Sequence, residues 1–288
     1  MFKPTLFRRV TIVGVGLIGG SIGMAIKKQG LAREVVGVSQ RQSTLVEAIK
    51  NGAIDVAAPD MSKAIRDSDL VILAAPVETI ITLIPTIVPF LKRGGIVTDV
   101  GSAKMEIVEA AENGLPGHVF FVSSHPLAGS EKKGVEFARA DLFENTQCIL
   151  TATEKTNQAA KEKIKQFWTR LGCKVSELSP IEHDELLAYI SHLPHLLAYE
   201  LMETLPAKAA EYPLPGLKDV TRIAASSPQL WADICLTNSK NILKGVDELV
   251  EHLAEIRRVM VQHDKNGLIQ HFTKAQEKRN TIFPDGQS

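Results

Sequence analysis

His125 is the residue in this sequence whose type and position best suit proton transfer. It lies in residues 123–131 (SSHPLAGSE), directly after an apolar run that is expected to form a buried strand. Oxidation of an alcohol carbon by hydride transfer requires a group that takes the hydroxyl proton, and an imidazole titrates close to neutral pH. We therefore predict that His125 is the catalytic base, with a structural hydrogen-bonding role as the alternative.

Ser102 is expected at the same edge of the sheet as His125. It belongs to residues 99–104 (DVGSAK), where a predicted strand gives way to a helix. Ligands of open α/β sheets bind outside the carboxyl ends of the strands, so this hydroxyl is predicted to serve catalysis beside His125. A helix cap is the alternative role for Ser102. Ser124, which precedes His125, is predicted to contact the substrate.

The carboxyl-terminal part of the chain supplies further candidates for substrate binding. Arg222 lies in an otherwise apolar stretch, residues 217–224 (LKDVTRIA), and its planar guanidinium suits a carboxylate. An intrachain ion pair with Asp219 is the alternative. His183, His192 and His195 lie along one predicted helix, but no acidic residue is spaced to complete a metal site, and no metal is predicted.

A glycine-rich turn carries the strongest motif in the sequence. Residues 14–19 (GVGLIG) follow an apolar strand and open a helix, as the dinucleotide-binding fingerprint requires. The glycines permit a tight turn, close approach of the backbone to a pyrophosphate, and close packing of helix on strand, while the helix amino terminus offers N–H groups. An unliganded glycine turn is the alternative. The predicted cofactor-binding residues of this turn are Gly14, Gly16, Leu17, Ile18 and Gly19.

The end of the second predicted strand bears on the choice between NAD and NADP. Residues 38–44 (VSQRQST) lack the carboxylate that would hydrogen-bond the ribose hydroxyls of NAD and repel a 2'-phosphate. Arg41, with the hydroxyls of Ser39 and Ser43, can hold such a phosphate. NADP is therefore favoured, and NAD is the alternative. If Arg41 simply faces solvent, it contacts no cofactor. Ala75 and Pro76 follow a strand where the sheet order should reverse, and they are predicted to line the nicotinamide side.

Two regions of different character must position these residues. From Arg8 to about Leu178, short β-branched apolar runs alternate with helical stretches, which is typical of parallel strands joined by crossover helices. After Pro180 the chain reads as helix, interrupted by a proline-containing loop at 206–227. We predict an α/β fold with a Rossmann-type doubly wound sheet in residues 1–178 and an all-helical substrate and dimerisation domain in residues 179–288. The predicted strands are 10–13, 34–38, 70–74, 95–99, 119–122, 147–150 and 174–177.

Composition excludes several classes of function. Lys plus Arg and Asp plus Glu number 33 each among 288 residues, so no net field attracts nucleic acid or an anionic membrane surface. Cys148, Cys173 and Cys235 are odd in number and far apart in sequence, which argues against a disulfide framework or a zinc site and favours a reducing, cytoplasmic setting. No apolar run approaches the roughly 20 residues that span a bilayer, and neither secretion nor membrane insertion is expected.

Taken together, the motifs resemble those of the prephenate and arogenate dehydrogenases of tyrosine biosynthesis. The resemblance covers most of the chain and runs through GVGLIGGS, DVGSAK, SHPLAGSE, EHD, SHLPH, LKDVTRIA and Trp231. It implies a Rossmann domain followed by a helical domain that forms a homodimer, with the active site in the cleft between the two domains. It also implies oxidative decarboxylation of a 4-hydroxycyclohexadienyl acid, giving 4-hydroxyphenylpyruvate from prephenate or tyrosine from arogenate.

The same resemblance implies roles for individual residues. Ser102 would hydrogen-bond both the substrate hydroxyl and the imidazole of His125. Arg222 would grip a substrate carboxylate, and His195, with His192 beside it, would contribute to the substrate pocket. The residues that resemble access-controlling positions of the family are Glu131, Asp219 and Trp231.

The sequence leaves the substrate and the wider class of function open. A carboxylate such as Asp184 in the pocket would favour the ammonium group of arogenate, whereas His195 would suit the side chain of prephenate. Prephenate is slightly favoured, and use of both substrates is a further alternative. A β-hydroxyacid or pyrroline-carboxylate reductase, or a dinucleotide sensor without turnover, are the more remote alternatives.

Overall fold

A six-stranded parallel sheet forms the centre of the amino-terminal part of the chain. The computed structural model describes residues 4–130 and 132–284. The strand order is β3-β2-β1-β4-β5-β6, so the direction of winding reverses between β1 and β4, as a doubly wound Rossmann sheet requires. The predicted fold class is therefore confirmed. The strands are β1 (Phe7–Val13), β2 (Ala32–Val38), β3 (Val56–Ala57), β4 (Leu70–Leu73), β5 (Ile96–Asp99) and β6 (Phe120–Phe121).

Apolar side chains are buried on both faces of this sheet. Alternate residues of β4 enter two separate apolar clusters, with Leu70 and Ile72 in one and Val71 and Leu73 in the other. Because both faces are covered, the sequences of the strands are continuous apolar runs and do not alternate between apolar and polar residues. The helices that connect the strands are α1 (Leu17–Gln29), α2 (Gln42–Lys50), α3 (Met61–Ile65), α4 (Val77–Ile87) and α5 (Met105–Gly114).

A second, three-stranded sheet follows the first. It contains β7 (Ser123–Pro126), β8 (Gln147–Thr151) and β9 (Lys174–Leu178), and helix α6 (Gln158–Arg170) lies between the last two strands in the sequence. Strand β7 runs antiparallel to β8. The prediction of parallel strands up to residue 178 is therefore wrong at this point, because the chain leaves the first sheet after β6 and pairs with β8 instead.

The remainder of the chain is helical, as predicted, with boundaries that differ in detail. Ser179 and Glu182 form a capping box, and the first helix begins at Pro180, where the sequence predicts that the helical region starts. The helical region that follows the predicted loop is interrupted at Asn238, and the predicted loop 206–227 itself contains short helical segments. The helices are α7 (Pro180–Leu187), α8 (Leu193–Glu203), α9 (Pro215–Thr221), α10 (Pro228–Thr237), α11 (Ser239–Val261) and α12 (Lys265–Ile282).

The chain divides into two compact units, Met1–Ser239 and Lys240–Ser288. The second unit consists of most of α11 and of α12, joined by a turn in which His263 adopts a positive φ of 53°. This division does not coincide with the predicted domain boundary at residue 178, which stays a prediction. No helix within residues 4–130 and 132–284 is long and apolar enough to cross a membrane.

Two of the three cysteines meet in space although they are far apart in the sequence. Cys148 and Cys173 are both buried, and all three cysteines are free. Burial raises the pKa of the Cys148 thiol well above its usual value. Cys148 is therefore a weak nucleophile. Both thiols pack in one apolar cluster and line neither of the cavities described below.

Candidate active site

Two adjoining cavities lie at the carboxyl ends of the strands, within the first compact unit. The glycine-turn cavity, of about 370 Å³, is lined by Gly16, Gly19, Ala75 and Pro76 among others. The histidine cavity, of about 490 Å³, has Ser102 and His125 in its lining, and both of these residues also line the glycine-turn cavity. The structure therefore brings the two predicted catalytic residues together at the boundary between the cavities. The histidine cavity is further lined by His192, His195, Arg222 and Trp231.

The three glycines of the turn do different things. Gly14 has a φ of +100°, and a Cβ there would lie 2.2 Å from the carbonyl oxygen of Ala74. A Cβ on Gly19 would lie 2.0 Å from the carbonyl oxygen of Gly14, whereas a Cβ on Gly16 would meet nothing within 4 Å. Gly14 and Gly19 are thus required by the packing of the protein itself, and Gly16 leaves open space at the cavity wall. That open space fits a pyrophosphate at the helix amino terminus.

Most predicted cofactor-binding residues line the glycine-turn cavity, and four do not. Leu17 and Ile18 lie in its wall with the residues named above, whereas Gly14 is not part of the lining. The amide of Gly14 donates to the carbonyl of Val38, 3.0 Å away, which brings the end of β2 beside the turn. Arg41 and Ser43 follow this point and are exposed, and Ser39 is half-buried. These three residues, at the end of β2, lie outside the cavity lining.

His125 is held on a strand and inside a hydrogen-bonded network. It pairs with Ile149 in the β7–β8 ladder, and its Nδ1 lies 2.8 Å from Nε2 of His183. Nδ1 of His183 lies 2.8 Å from Oδ1 of Asp184. Burial lowers the pKa of His125 well below its usual value, and the nearby His183 and Lys104 lower it further. His125 is therefore a neutral imidazole at neutral pH, which is the form that can accept a proton.

A buried lysine fixes the turn that carries Ser102 against the strand that carries His125. Lys104 is fully buried, forms an ion pair with Asp99, and donates a hydrogen bond of 2.8 Å to the carbonyl of Ser124. Asp99 also accepts from the hydroxyl of Ser123, at 2.7 Å. Because a buried charge must be paired, removal of either partner of such a pair costs about 3–5 kcal/mol. These contacts give the catalytic edge of the sheet a rigid support.

Ser124 does not take the role predicted for it. Its side chain is fully buried, and its hydroxyl lies 2.9 Å from that of Thr98. Successive side chains of a strand point to opposite faces, so Ser124 faces away from the side on which its neighbour His125 reaches the cavities. Ser124 lines neither cavity.

His192 presents an unpaired donor to the histidine cavity. Its Nδ1 lies 3.1 Å from the side-chain nitrogen Nδ2 of Asn238, which can only donate, so Nδ1 is the acceptor. Burial lowers the pKa of His192 to about 4, so the ring is neutral at neutral pH and its proton is on Nε2. That Nε2 is buried and has no hydrogen-bond partner in the described part of the chain. The arrangement suits a ligand oxygen.

His195, Trp231 and Arg222 also line the histidine cavity. The rings of His195 and Trp231 are stacked, with centroids 3.6 Å apart. Nδ1 of His195 lies 2.9 Å from the carbonyl of Ser191, to which it can only donate. Burial lowers the pKa of His195, and the charge of Arg222 lowers it further. An uncharged His195 therefore has its Nε2 free to accept a hydrogen bond.

Arg222 is available to a ligand. Of the predicted access-controlling residues, only some line the histidine cavity. Within the described residues no ion pair joins Arg222 to Asp219, the alternative that the sequence raised. Asp219 is exposed and does not line the cavity, unlike Trp231. Glu131 lies outside the described residues.

Asp184 does not face the substrate space. Its Oδ1 accepts from the amide of Lys104 at 2.8 Å, and its Oδ2 accepts from the amide of Met105 at 2.9 Å. It lines neither cavity. The hypothesis that Asp184 pairs with a substrate ammonium group is therefore not supported, because the carboxylate is engaged by the amino terminus of α5 and by His183.

Sequence reasoning missed several residues that shape the site. Lys104 stands in the DVGSAK motif, yet nothing in the sequence distinguishes a buried lysine from an exposed one. Asp233 in α10 accepts from the amides of Val77 at 2.6 Å and Glu78 at 3.2 Å, and so anchors the turn that carries Ala75 and Pro76. Lys132 and Lys133 line both cavities. Their adjacency to the SHPLAGSE motif was the available signal.

Two family models match the chain. Residues 22–177 match the model described as prephenate dehydrogenase, nucleotide-binding domain. Residues 179–274 match the model described as prephenate dehydrogenase, dimerization domain. The two matches together cover most of the 288 residues.

Individual relatives agree with these matches. A prephenate dehydrogenase of Bacillus subtilis is 36% identical over 280 residues, which are 95% of this chain and 76% of that protein. A cyclohexadienyl dehydrogenase of Zymomonas mobilis is 32% identical and is covered over 98% of both chains. The crystal structure of prephenate dehydrogenase from A. aeolicus with hydroxyphenyl propionate and NAD+ superposes with a TM-score of 0.89 at 32% identity, covering 96% of this chain and 98% of that one.

Proposed function

Because the chain belongs to the prephenate dehydrogenase family, we propose that it converts prephenate to 4-hydroxyphenylpyruvate by oxidative decarboxylation with NAD(P). The observation that carries this proposal is the place of His125 at the boundary between the two cavities. A cofactor in the glycine-turn cavity and a ring in the histidine cavity would both lie against this imidazole. The family relationship also replaces the more remote reductase and sensor alternatives.

The residues of the boundary supply proton transfer and orientation. His125 accepts the proton of the ring hydroxyl, and the Ser102 hydroxyl hydrogen-bonds the same oxygen. The bound nicotinamide supplies the hydride acceptor. Loss of the ring carboxylate as carbon dioxide then completes an aromatic ring, which makes the step effectively irreversible. The neutral state of buried His125 provides the base that this proton transfer needs.

The charges around the histidine cavity favour prephenate over arogenate. The lining includes the cations Lys132, Lys133 and Arg222, and no Asp or Glu among the described lining residues. Both substrates carry two carboxylates, but arogenate also carries an ammonium group, which such a lining would repel. We propose that Arg222 holds one carboxylate, and that the Nε2–H of His192 and the His195–Trp231 stack contact the side chain. Glu131 and Asp219 remain predicted access-controlling residues.

The substrate proposal is tested with the purified wild-type protein and four pairs of reactants. Prephenate and arogenate are each combined with NADP and with NAD, and the initial rate of cofactor reduction is measured. We expect kcat/KM to be at least about tenfold higher with prephenate, since one unfavourable charge contact of 1.4 kcal/mol corresponds to that factor. A higher kcat/KM with arogenate would contradict the substrate choice. The lack of reduction in every pair would contradict the proposed function.

We also propose NADP as the preferred cofactor, since Arg41 follows β2 without a neighbouring carboxylate. Replacement of Arg41 with Ala should raise the Kd for NADP about tenfold or more and leave the Kd for NAD within about twofold, because only the 2'-phosphate needs the cation. Isothermal titration with each cofactor measures both constants. Arg33→Ala, which removes an exposed cation near the start of β2, is the matched control. Equal weakening of both cofactors would contradict the assignment.

The assembly and setting of the enzyme follow the same reasoning. We propose a homodimer formed through the region that matches the family's dimerization domain. Within Lys240–Ser288, several large apolar side chains are exposed on both helices, including Leu243, Val250, Leu253, Ile269 and Phe272. Such side chains are suited to burial against a second copy. The free thiols Cys148, Cys173 and Cys235 fit a reducing, cytoplasmic setting.

A further inference from the structure

We propose that His183 and Asp184 are a positioning pair that fixes the tautomer of His125, so that its Nδ1 carries the ring proton and its Nε2 is bare. The three side chains form one hydrogen-bonded chain, from His125 to His183 at 2.8 Å and from His183 to Asp184 at 2.8 Å. The catalytic consequence rests on the function proposed above. The tautomer itself is a property of the free protein.

The direction of each hydrogen bond from His125 to Asp184 follows from the Asp184 end, which two backbone amides hold in place. The amides of Lys104 and Met105 can only donate, so the oxygens of Asp184 that face them are acceptors. Oδ1 of Asp184 also faces Nδ1 of His183, which must therefore carry a proton and donate it. The carboxylate at the amino terminus of α5 thus sets the protonation of His183.

The next link of the chain is determined in the same way. Burial lowers the pKa of His183 as well as that of His125, so both rings are neutral at neutral pH. A neutral His183 with its proton on Nδ1 has a bare Nε2, which can only accept. Nδ1 of His125 must then be the donor, and Nε2 of His125 is left with a lone pair. The opposite tautomer would set two bare nitrogens 2.8 Å apart.

The surrounding charges support a base that gains a proton and returns it. When His125 is protonated, its Nδ1–H continues to donate to His183, and the carboxylate of Asp184 stabilises the positive charge through that ring. Three other charged or titratable groups lie near these three side chains. Lys104 opposes a positive charge on His125, Asp99 neutralises Lys104, and His192 is neutral. His183 is fully buried and Asp184 is 1% exposed, so the pair cannot easily reorient.

The tautomer is tested directly by a long-range ¹H–¹⁵N spectrum of wild-type protein labelled with ¹⁵N-histidine. The His125→Asn variant assigns the signals of His125 by their loss. We expect a protonated Nδ1 and a bare Nε2 on His125, and a protonated Nδ1 on His183, between about pH 7 and 8, above the ordinary histidine pKa of about 6.5. A proton on Nε2 of free His125 would overturn the proposal. This measurement needs no turnover, so it remains decisive even if the proposed substrate is wrong.

Two variants test the effect on catalysis. Asp184→Asn can keep an acceptor at Oδ1 while it removes the charge, and we expect kcat to fall about tenfold and the acid limb of kcat/KM to move to lower pH. His183→Gln should lower kcat about a hundredfold with KM and cofactor Kd nearly unchanged, by analogy with the partners that orient metal-bound histidines, which contribute about 10–100-fold. His118→Gln, which changes a half-exposed histidine outside both cavities, is the control.

The readouts separate positioning from mere structural support. Thermal melting identifies a variant that fails to fold, and the wild-type spectrum then decides the proposal alone. Folded variants that keep wild-type kcat and an unmoved pH profile would contradict it. A lower kcat with the pH profile and the His125 tautomer unchanged would also contradict it. Absence of turnover in the wild-type protein would refute the proposed function and leave the tautomer assignment to be judged by the spectrum.

Discussion

Replacement of His125 with Asn is expected to lower kcat by roughly 10²–10⁴-fold, which is the usual contribution of a positioned acid or base. Asn is smaller than His but keeps a side-chain N–H that can donate toward His183, so the β7–β8 ladder and the buried network should survive. It has no nitrogen that can accept a proton at neutral pH. The loss should therefore fall on kcat, with KM and the Kd of the cofactor changing by no more than about threefold.

The measurement compares initial rates of cofactor reduction and cofactor titrations for the two proteins. His118→Asn is the matched control, because it makes the same change at a half-exposed histidine that lines neither cavity. Its kcat should equal that of the wild type. If His125→Asn keeps more than about a tenth of the wild-type kcat while folded, His125 is not the base, and its hydrogen bond to His183 has only a structural role.

Replacement of Gly16 with Ala is expected to weaken cofactor binding without loss of stability. The φ and ψ of Gly16 are −93° and −151°, in the extended region, and a Cβ there meets nothing within 4 Å. The added methyl group would instead occupy the space that we assign to the pyrophosphate. We expect the cofactor Kd to rise by about 100-fold, which corresponds to about 3 kcal/mol, while the melting temperature stays within about 2 °C of the wild type.

Two other glycines make this result interpretable. Gly117→Ala adds a methyl group at an exposed site with nothing within 4 Å, and should change neither affinity nor stability. Gly19→Ala would place a Cβ 2.0 Å from the carbonyl oxygen of Gly14, and should destabilise the protein itself. Titration calorimetry and thermal melting report the two properties separately. If Gly16→Ala binds cofactor as well as Gly117→Ala does, the pyrophosphate does not lie at this residue.

The sequence could predict the first sheet because its signals are local. Buried strands with both faces covered produce continuous apolar runs, and the turn at residues 14–19 joins a strand to a helix within a few residues. The dinucleotide fingerprint is typical of a doubly wound sheet, in which the winding reverses beside the first strand, so the position of Ala75 and Pro76 near the glycine turn was also predictable. The candidates His125, Ser102, Arg222, His192, His195 and Trp231 were found from motifs and resemblance, and the fold places them around one space.

The sequence by itself thus determined the fold class, the glycine turn and the set of side chains able to do the chemistry. Only the tertiary structure decided that residues 123–126 form a strand of a second sheet, that Ser124 faces Thr98, and that Asp184 belongs to a hydrogen-bonded support and not to the substrate pocket. The physical reason is the distance along the chain: His125 meets His183 across 58 residues, and Asp184 meets Lys104 across 80. Periodicity and motifs describe neighbours in sequence, whereas the direction of a hydrogen bond, and with it the tautomer of a base, is fixed by partners that only folding brings together.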